Sequence, residues 1–410
     1  MRVLYFDPKF ATARRAAPTR AYAFARHLVE HGHEVTLVAR DMRHLDLPPP
    51  PRRGLVHRER IDGIDVLMLN VPYAQSFSKW RRLLSYGGYT FAATLAGAGL
   101  SRPDVVYASS TPLTVGVTGL LVSRFKRVPF VFEIQDLWPE VAIDLGVLRR
   151  RAEIAAAEWL EHGLYDRAEV IVVCSEAVRD ALLRAGVPVE KLVLIPNLSD
   201  TALFDAAVPN RAYFDRLGLQ GKFVALYSGA MGKSNGVHQL AEAARVLEAR
   251  GEDEIAIVAL GFGSERWKLE QEAASLPNLL VPPSVTRADV AGIVKAADAT
   301  LTIFAPYRSL ETNSPNKLFD SLAAGRPVVV NVDGWLRRIV EENRAGLYVA
   351  ADDSDALADA LVQLARSPNL REELGRNGRA AAERDFDREL LAGRLRETLE
   401  ALQGRDGHRP

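Results

Sequence analysis

Short apolar runs recur along the chain, and most are followed by a polar loop and then a stretch whose apolar positions repeat at three- and four-residue spacing. VLYF (Val3–Phe6) leads to Thr19–Gly32, where Tyr22, Ala25, Leu28 and Val29 share one helical face and Gly32 supplies a stop. EVTLVAR (Glu34–Arg40), DVLML (Asp65–Leu69), DVVYAS (Asp104–Ser109), PFVFEI (Pro129–Ile134) and VIVVCS (Val170–Ser175) continue the alternation. Runs apolar at nearly every position fit strands covered on both faces, and intervening helices make the strands parallel. The grammar restarts with FVALYSG (Phe223–Gly229), EIAIVALGFG (Glu254–Gly263), NLLV (Asn278–Val281), ATLTIFAP (Ala299–Pro306) and RPVVV (Arg326–Val330). The pattern predicts an α/β protein of two parallel-sheet domains, 1–200 and 201–385, with a charged helical tail, 386–410, that could cross back to the first domain. A length of 410 residues agrees, being too great for one hydrophobic core.

In open parallel sheets, ligands sit beyond the carboxyl ends of the strands. The expected active site is a cleft between the two sheets, and four motifs fall at such ends. GAMGKSNG (Gly229–Gly236) lets backbone approach a phosphate and brings Lys233, although a plain strand-to-helix turn would look the same and neither a P-loop nor GxGxxG is matched. LGFGSER adds Gly261, Gly263 and Arg266, the arginine reaching either a phosphate or solvent. EIQDLWPE ends a strand in Glu133 and Asp136, with Trp138 beside them. Asp136 reads either as a ligand for sugar hydroxyls or an acceptor, or as a helix N-cap, and Glu133 as a carboxylate satisfied by the fold. NSPNKLFDSLAAGRPVVV (Asn313–Val330) places Asn313, Ser314, Asn316 and Lys317 around a helix start opened by Pro315, where free N–H groups suit a nucleotide phosphate. Asp320 follows, as a ligand or simply an acid favourable near a helix N-terminus.

Composition narrows the classes. Lysine plus arginine equals aspartate plus glutamate at 52 each, so nothing global argues for nucleic acid. The lone Cys174 reads as a buried small hydrophobe in a reducing compartment. MRVLYFDP reads as a first strand and not a leader, and no run is long and apolar enough to span a bilayer. Histidines do not cluster, and HExxH and GxSxG are missing, so metal and hydrolase-triad readings lack parts. Ser78–Gly99 mixes Lys79, Arg81 and Arg82 with Trp80, Leu83, Leu84, Tyr86, Tyr89 and Phe91, with Gly87–Gly88 expected to break the helix. Contact with anionic lipid, ordinary packing and a nucleic-acid patch all stay open, the last without any accompanying signature.

The order and spacing of these motifs, together with HGHEVTLVAR, YASSTPL, VPFVFEIQDLWPE and IPNLSD, resemble the retaining glycosyltransferases of the two-domain GT-B type, family 4. Within it the bacterial fucosamine- and colanic-acid-transferase group is most similar. The resemblance implies two Rossmann-like domains facing across a cleft, and transfer of sugar from a nucleotide-sugar, UDP-linked, to a lipid-linked or polysaccharide acceptor in cell-envelope glycan synthesis. No cofactor or catalytic metal is implied. It places the donor on the second domain, at Gly229, Lys233, Gly261, Gly263, Arg266, Asn313, Ser314, Asn316, Lys317 and Asp320. The acceptor falls on the first, at Arg14, Arg15, Arg20, Asp136 and Trp138. Asp136, Glu133, Lys233, Lys317 and Asp320 are the implied catalytic set. Peripheral attachment of a cytoplasmic protein to the inner membrane face through 78–99 follows from the same likeness. Where the wider family carries paired glutamates, this chain has Thr312 and Asp320, and Ala230 and Asn235 replace an arginine and a lysine. A sugar-nucleotide 2-epimerase and a non-catalytic nucleotide-binding scaffold are the alternatives.

Overall fold

The computed structural model describes residues 1–11, 20–40, 54–73, 77–110 and 112–406. The chain divides into two compact units, one of Met1–Pro196 with the tail from Glu389 onward, the other of Asn197–Arg388.

The first unit is built on an eight-stranded sheet. Its strands are β1 (Arg2–Phe6), β2 (Glu34–Arg40), β3 (Val56–Ile61), β4 (Ile64–Leu69), β5 (Val105–Ser109), β6 (Phe130–Ile134), β7 (Val170–Val173) and β8 (Leu192–Leu194), ordered β3-β4-β2-β1-β5-β6-β7-β8. The paired strands run parallel except β3, which turns back antiparallel along β4. Every residue of β5, β6 and β7 is buried, which is why those runs are apolar at nearly every position. Strand order reverses at β1/β5, the switch point at which this topology opens a crevice. The tail helix Arg388–Asp406 joins this unit through His27 Nδ1 to Glu389 (2.8 Å) and His33 Nε2 to Glu400 (3.0 Å).

One helical expectation is corrected. Lys79–Gly99 is a single 21-residue helix running through Gly87 and Gly88. Ser85, Tyr89, Ala93 and Gly97 are buried along one face, and that packing outweighs the roughly 1 kcal/mol that each glycine costs a helix interior.

The second unit carries β9 (Phe223–Ser228), β10 (Ile255–Leu260), β11 (Leu279–Leu280), β12 (Ala299–Thr302), β13 (Val328–Val330) and β14 (Gly346–Tyr348), all parallel, ordered β11-β10-β9-β12-β13-β14. Its switch point lies between β9 and β12. Helices His238–Ala249 and Ser354–Arg366 bury Leu240, Leu247, Leu357, Leu361 and Leu364 against one face of this sheet.

Candidate functional site

In the second unit, Lys317 lies on the first turn of the helix Asn316–Ala323. Its ammonium donates to Tyr227 Oη (3.1 Å), at the end of β9, and to the carbonyl of Ile303 (3.2 Å), just past β12. The charge therefore sits at the switch point itself. The rings of Tyr227 and Phe304 flank it at 4.4 and 4.2 Å, and a Cβ built on Gly229 would lie 3.7 Å from its Cε. Burial pushes the ammonium down from 10.5 to about 7, with no carboxylate among the causes. The helix begins at Pro315, which provides no side-chain cap, so its first N–H groups are open to a ligand.

The loop leading into that helix is tied down from within the unit. Ser314 Oγ accepts from the Asn197 N–H at 3.3 Å, the Ser314 carbonyl accepts from Asn197 Nδ2, and Asn313 Oδ1 accepts from the Ser314 N–H. Asn316 is exposed at the helix start. Asp320 is largely buried beneath the end of β9, where it shares a small void with Ser228 and Lys317.

Lys233 projects, exposed, from the 3-10 turn Lys233–Asn235 beyond β9, and Asn235 Oδ1 caps that turn by accepting from the Gly232 N–H (3.0 Å). Gly261, Gly263 and Arg266, expected at the donor, are engaged in the packing of the loops beyond β9 and β10. A Cβ on Gly261 would lie 1.7 Å from the Gly229 carbonyl oxygen, and one on Gly263 2.4 Å from Met231. Those glycines let the β10 loop lie flat on the β9 loop, joined by Gly229 N–H to Leu260 O and Met231 N–H to Phe262 O. Arg266 braces the same loop. It donates to the carbonyls of Gly261, Val281 (3.2 Å) and Pro282 (3.0 Å) and pairs with Glu270 (2.8 Å), which leaves it committed to the fold.

Several supporting residues escaped the sequence reading. Gln239 donates to the carbonyls of Gly236 and Phe304 and accepts from Asn331 Nδ2. Asn331 in turn holds Phe304 through both its N–H and its carbonyl. This buried network fixes the ring beside Lys317. Its one sequence signal was a pair of amides, on the helix after the glycine loop and at the end of RPVVV.

In the first unit, Glu133, one of the implied catalytic residues, and Arg20, an implied acceptor contact, are tied to one another inside the fold. Glu133 is fully buried. It accepts from Tyr107 Oη and from Gln135 Nε2 (2.8 Å), and it pairs with Arg20 Nε at 3.2 Å. The rest of the Arg20 guanidinium donates to the carbonyls of Ile195 and Pro196 and lies 4.4 Å from the Phe24 ring centre. Trp138 packs, partly buried, on the hydrophobic core. Arg14 and Arg15 lie outside the described residues.

Asp136 is half-buried after β6, without a hydrogen-bond partner for its carboxylate among the described residues. Burial raises its pKa and Lys9 opposes the rise. It caps no helix, since the next one, Glu140–Asp144, is capped by Pro139. Asp7, which the sequence did not single out, lies on the same edge of the sheet. It follows β1 at the switch point, accepts from the Lys9 N–H at 2.7 Å and bonds Ser109 at the end of β5. Burial pushes its carboxyl up to about 6, against the Lys9 N–H bond. Asp7, Asp136 and Lys9 thus form a polar group on the carboxyl edge of this sheet. No cluster of three or more His, Cys, Asp or Glu that could hold a metal ion occurs among the described residues.

Two Rossmann-like units, each with its charged side chains beyond the strand ends at a switch point, define a nucleotide-handling α/β transferase class. The chain belongs to the GT-B glycosyltransferases and is an enzyme of that family. Residues 16–198 match the glycosyl transferase 4-like domain and residues 210–381 match glycosyl transferases group 1. It is 30% identical over 355 residues to the phosphatidyl-myo-inositol mannosyltransferase of Mycobacterium leprae, covering 86% of this chain and 78% of that one. It is 24% identical over 263 residues to the alpha-D-kanosaminyltransferase of Streptomyces kanamyceticus, covering 63% of this chain and 66% of that one, a little under two thirds of that relative. The fold is shared with Anabaena HepE, solved in complex with UDP and glucose, at a TM-score of 0.68 and 18% identity over 98% of this chain and all of that one. Matches spread over several bacterial sugar transferases, so the fucosamine and colanic-acid group is not singled out. No helix among the described residues is long and apolar enough to cross a membrane.

Proposed function

We propose that this enzyme moves a sugar from a UDP-sugar to a lipid-linked or polysaccharide acceptor in cell-envelope glycan synthesis, with retention of anomeric configuration. The observation that carries the reading is the Lys317 ammonium at the β9/β12 switch point, beside an uncapped helix start and with no carboxylate among the causes of its shifted pKa. A diphosphate leaving group supplies the missing negative charge, and a preorganised cation in a desolvated site stabilises the charge that develops as it departs. The UDP bound in the HepE structure supports the choice of base.

In this scheme the acceptor hydroxyl attacks from the face on which the diphosphate leaves. Lys317, Lys233 and the N–H groups of Asn316 and Lys317 hold the diphosphate. Asp320, beneath the same turn, holds ribose or donor-sugar hydroxyls, while Asn313 and Ser314 set the loop that presents the helix start. Asp136, with Asp7 and Lys9, orients the acceptor. Arg20 and Arg266 act by holding backbone, and Glu133 by holding Arg20, Tyr107 and Gln135. All the positive charge the scheme needs is on side chains and N–H groups, so turnover persists in EDTA.

The surface of the Lys79–Gly99 helix supports contact with the membrane that carries such acceptors. Trp80, Leu84, Phe91 and Leu95 are 58–76% exposed and fall within an arc of about 60° on the helix. Leu121 and Phe125 are exposed on the helix Thr114–Lys126, which packs beside it, and Arg81 and Arg124 are exposed nearby. An apolar stripe edged by arginine suits an anionic bilayer surface.

The deciding experiment is a thermal-shift and transfer screen of UDP-, GDP- and TDP-sugars with polyprenyl-phosphate-linked acceptors. UDP-sugars are expected to raise the melting temperature and to be consumed only when acceptor is present. Stabilisation by GDP-sugars alone would overturn the base assignment, and a 2-epimer formed from UDP-N-acetylglucosamine without acceptor would overturn transfer.

A further inference from the structure

The second unit holds a cavity of about 580 Å³ that the transfer scheme leaves unused. It lies at the opposite edge of the sheet from Lys317, against Asp298 and Arg326–Pro327, the residues that enter β12 and β13. Its other wall is the helix Pro368–Ala381, which contributes Arg371, Arg376 and Arg379 at three- to five-residue intervals. Gly375 makes the tight seam beside it, since a Cβ there would lie 2.3 Å from the Gly325 carbonyl oxygen.

Four arginines line this space, and their partners account for only some of the charge. Arg379 is neutralised by Asp205 (2.8 Å) and Glu383 (2.6 Å). Arg376 faces Glu372 at 3.8 Å with both side chains more than two-thirds exposed, a weak pairing. The Asp298 carboxylate is taken up by Arg211 (3.1 Å) and the Val224 N–H (2.9 Å). Arg371 donates to the carbonyls of Leu364 and Ala365 and has no carboxylate partner among the described residues. Arg326 stands out further, because its Nε is buried without any hydrogen-bond partner. Burial depresses its pKa, Asp298 works against that, and Arg211 and Arg371 add to the depression. A buried guanidinium N–H left unmade is costly, and a second cation beside it adds repulsion. An anion lodged in the cavity between the two relieves that repulsion.

We propose that this cavity is a second ligand site, binding a small phosphorylated polyol through Arg326 and Arg371, separate from the site of sugar transfer. Guanidinium forks match phosphate oxygens in pairs, which favours a phosphate group. The volume falls in the range of small-molecule sites and exceeds what a lone phosphate fills. Glu372 and Glu383 on the same wall offer acceptors for hydroxyl groups, which is why a polyol is the better fit to the remaining space.

The test is calorimetric titration of the full chain with ribose 5-phosphate and with inorganic phosphate. One equivalent of ribose 5-phosphate is expected to bind, at least threefold more tightly than phosphate. Arg326→Gln should weaken it at least tenfold, whereas Lys317→Met, at the transfer site, should leave it within twofold. Ala380→Glu provides a fold-neutral check. Ala380 is exposed on the cavity wall, and a carboxylate there should also weaken binding at least tenfold with an unchanged circular-dichroism spectrum. Absence of binding, affinity unaltered by both Arg326→Gln and Ala380→Glu, or loss of binding in Lys317→Met would each overturn the proposal. None of these outcomes bears on sugar transfer, which rests on the other edge of the sheet.

Discussion

Lys317 combines two opposing demands. Its position at the end of β9 and β12 suits a diphosphate, but burial there holds its folded pKa near 7 against an ordinary 10.5. Between those values the unfolded chain binds one more proton at this side chain than the folded chain does. Stability therefore rises with pH through that window, and below about 7 the cost of burying the charge is fully present. Lys317→Met is expected to be more stable than the wild type at pH 6, with the difference shrinking by pH 9, as urea denaturation at the two values would read. The same variant should lose at least tenfold in kcat/KM, and a fully active folded variant would sink the assigned role. Diphosphate binding restores the proton. Calorimetry of UDP at pH 8 in buffers of different ionisation enthalpy should report net proton uptake, with affinity declining above pH 7. Tyr227, Phe304 and the Ile303 carbonyl are packed around this ammonium, and Asp320 lines the same small void. Arg20 makes a different point. Arg20→Ala would leave Glu133 buried without its counter-ion, and a loss of about 3–5 kcal/mol in unfolding free energy is expected.

At the scale of elements, the helix Lys79–Gly99 shows where sequence reasoning reached and where it stopped. Its mixture of tryptophan, phenylalanine and arginine was legible, but its continuity through Gly87–Gly88 was not. Propensity is local, whereas the contacts of Tyr89 and Ala93 with the core come from residues distant in sequence. A Cβ on Gly87 meets nothing within 4 Å, so Gly87→Ala should raise stability by about 1 kcal/mol in denaturant titration. Trp80→Glu combined with Phe91→Glu should abolish co-sedimentation with vesicles containing phosphatidylglycerol while leaving turnover of a soluble acceptor within twofold. Retained sedimentation would remove the membrane face from the reading. The long central strands were readable because β5, β6, β7, β9 and β10 are apolar almost throughout. The strand β3, VHRERI, is mostly exposed along the sheet edge and carries no such run. Likewise β8 and β14 are only three residues each, too short for any periodicity. The glycines of the β10 loop were noticed for close backbone approach, and in the fold that approach is to the β9 loop, since backbone can approach backbone as closely as it approaches a phosphate.

Over the whole molecule, each unit sets a polar group on the carboxyl edge of its sheet, Asp7 and Asp136 in one, Lys317 and Lys233 in the other. Chelation is the simplest test of that division of charge. EDTA should leave transfer unchanged, and loss of activity restored by magnesium would show that a metal ion carries charge assigned here to lysine. The sequence by itself determined the two α/β units and the family, since these follow from hydrophobic period and from motif order along the chain. Only the tertiary structure decided which polar residues are taken up by internal partners. Arg20 and Arg266 read as candidates and are tied to backbone carbonyls, and Glu133 is tied to the side chains of Tyr107, Gln135 and Arg20, while Asp7, Tyr227 and Phe304 drew no notice and lie at the strand ends of the two switch points. The reason is physical. The chemistry of a side chain is written at its own position, but its burial, its partners and therefore its charge state are set by strands and loops tens to hundreds of residues away.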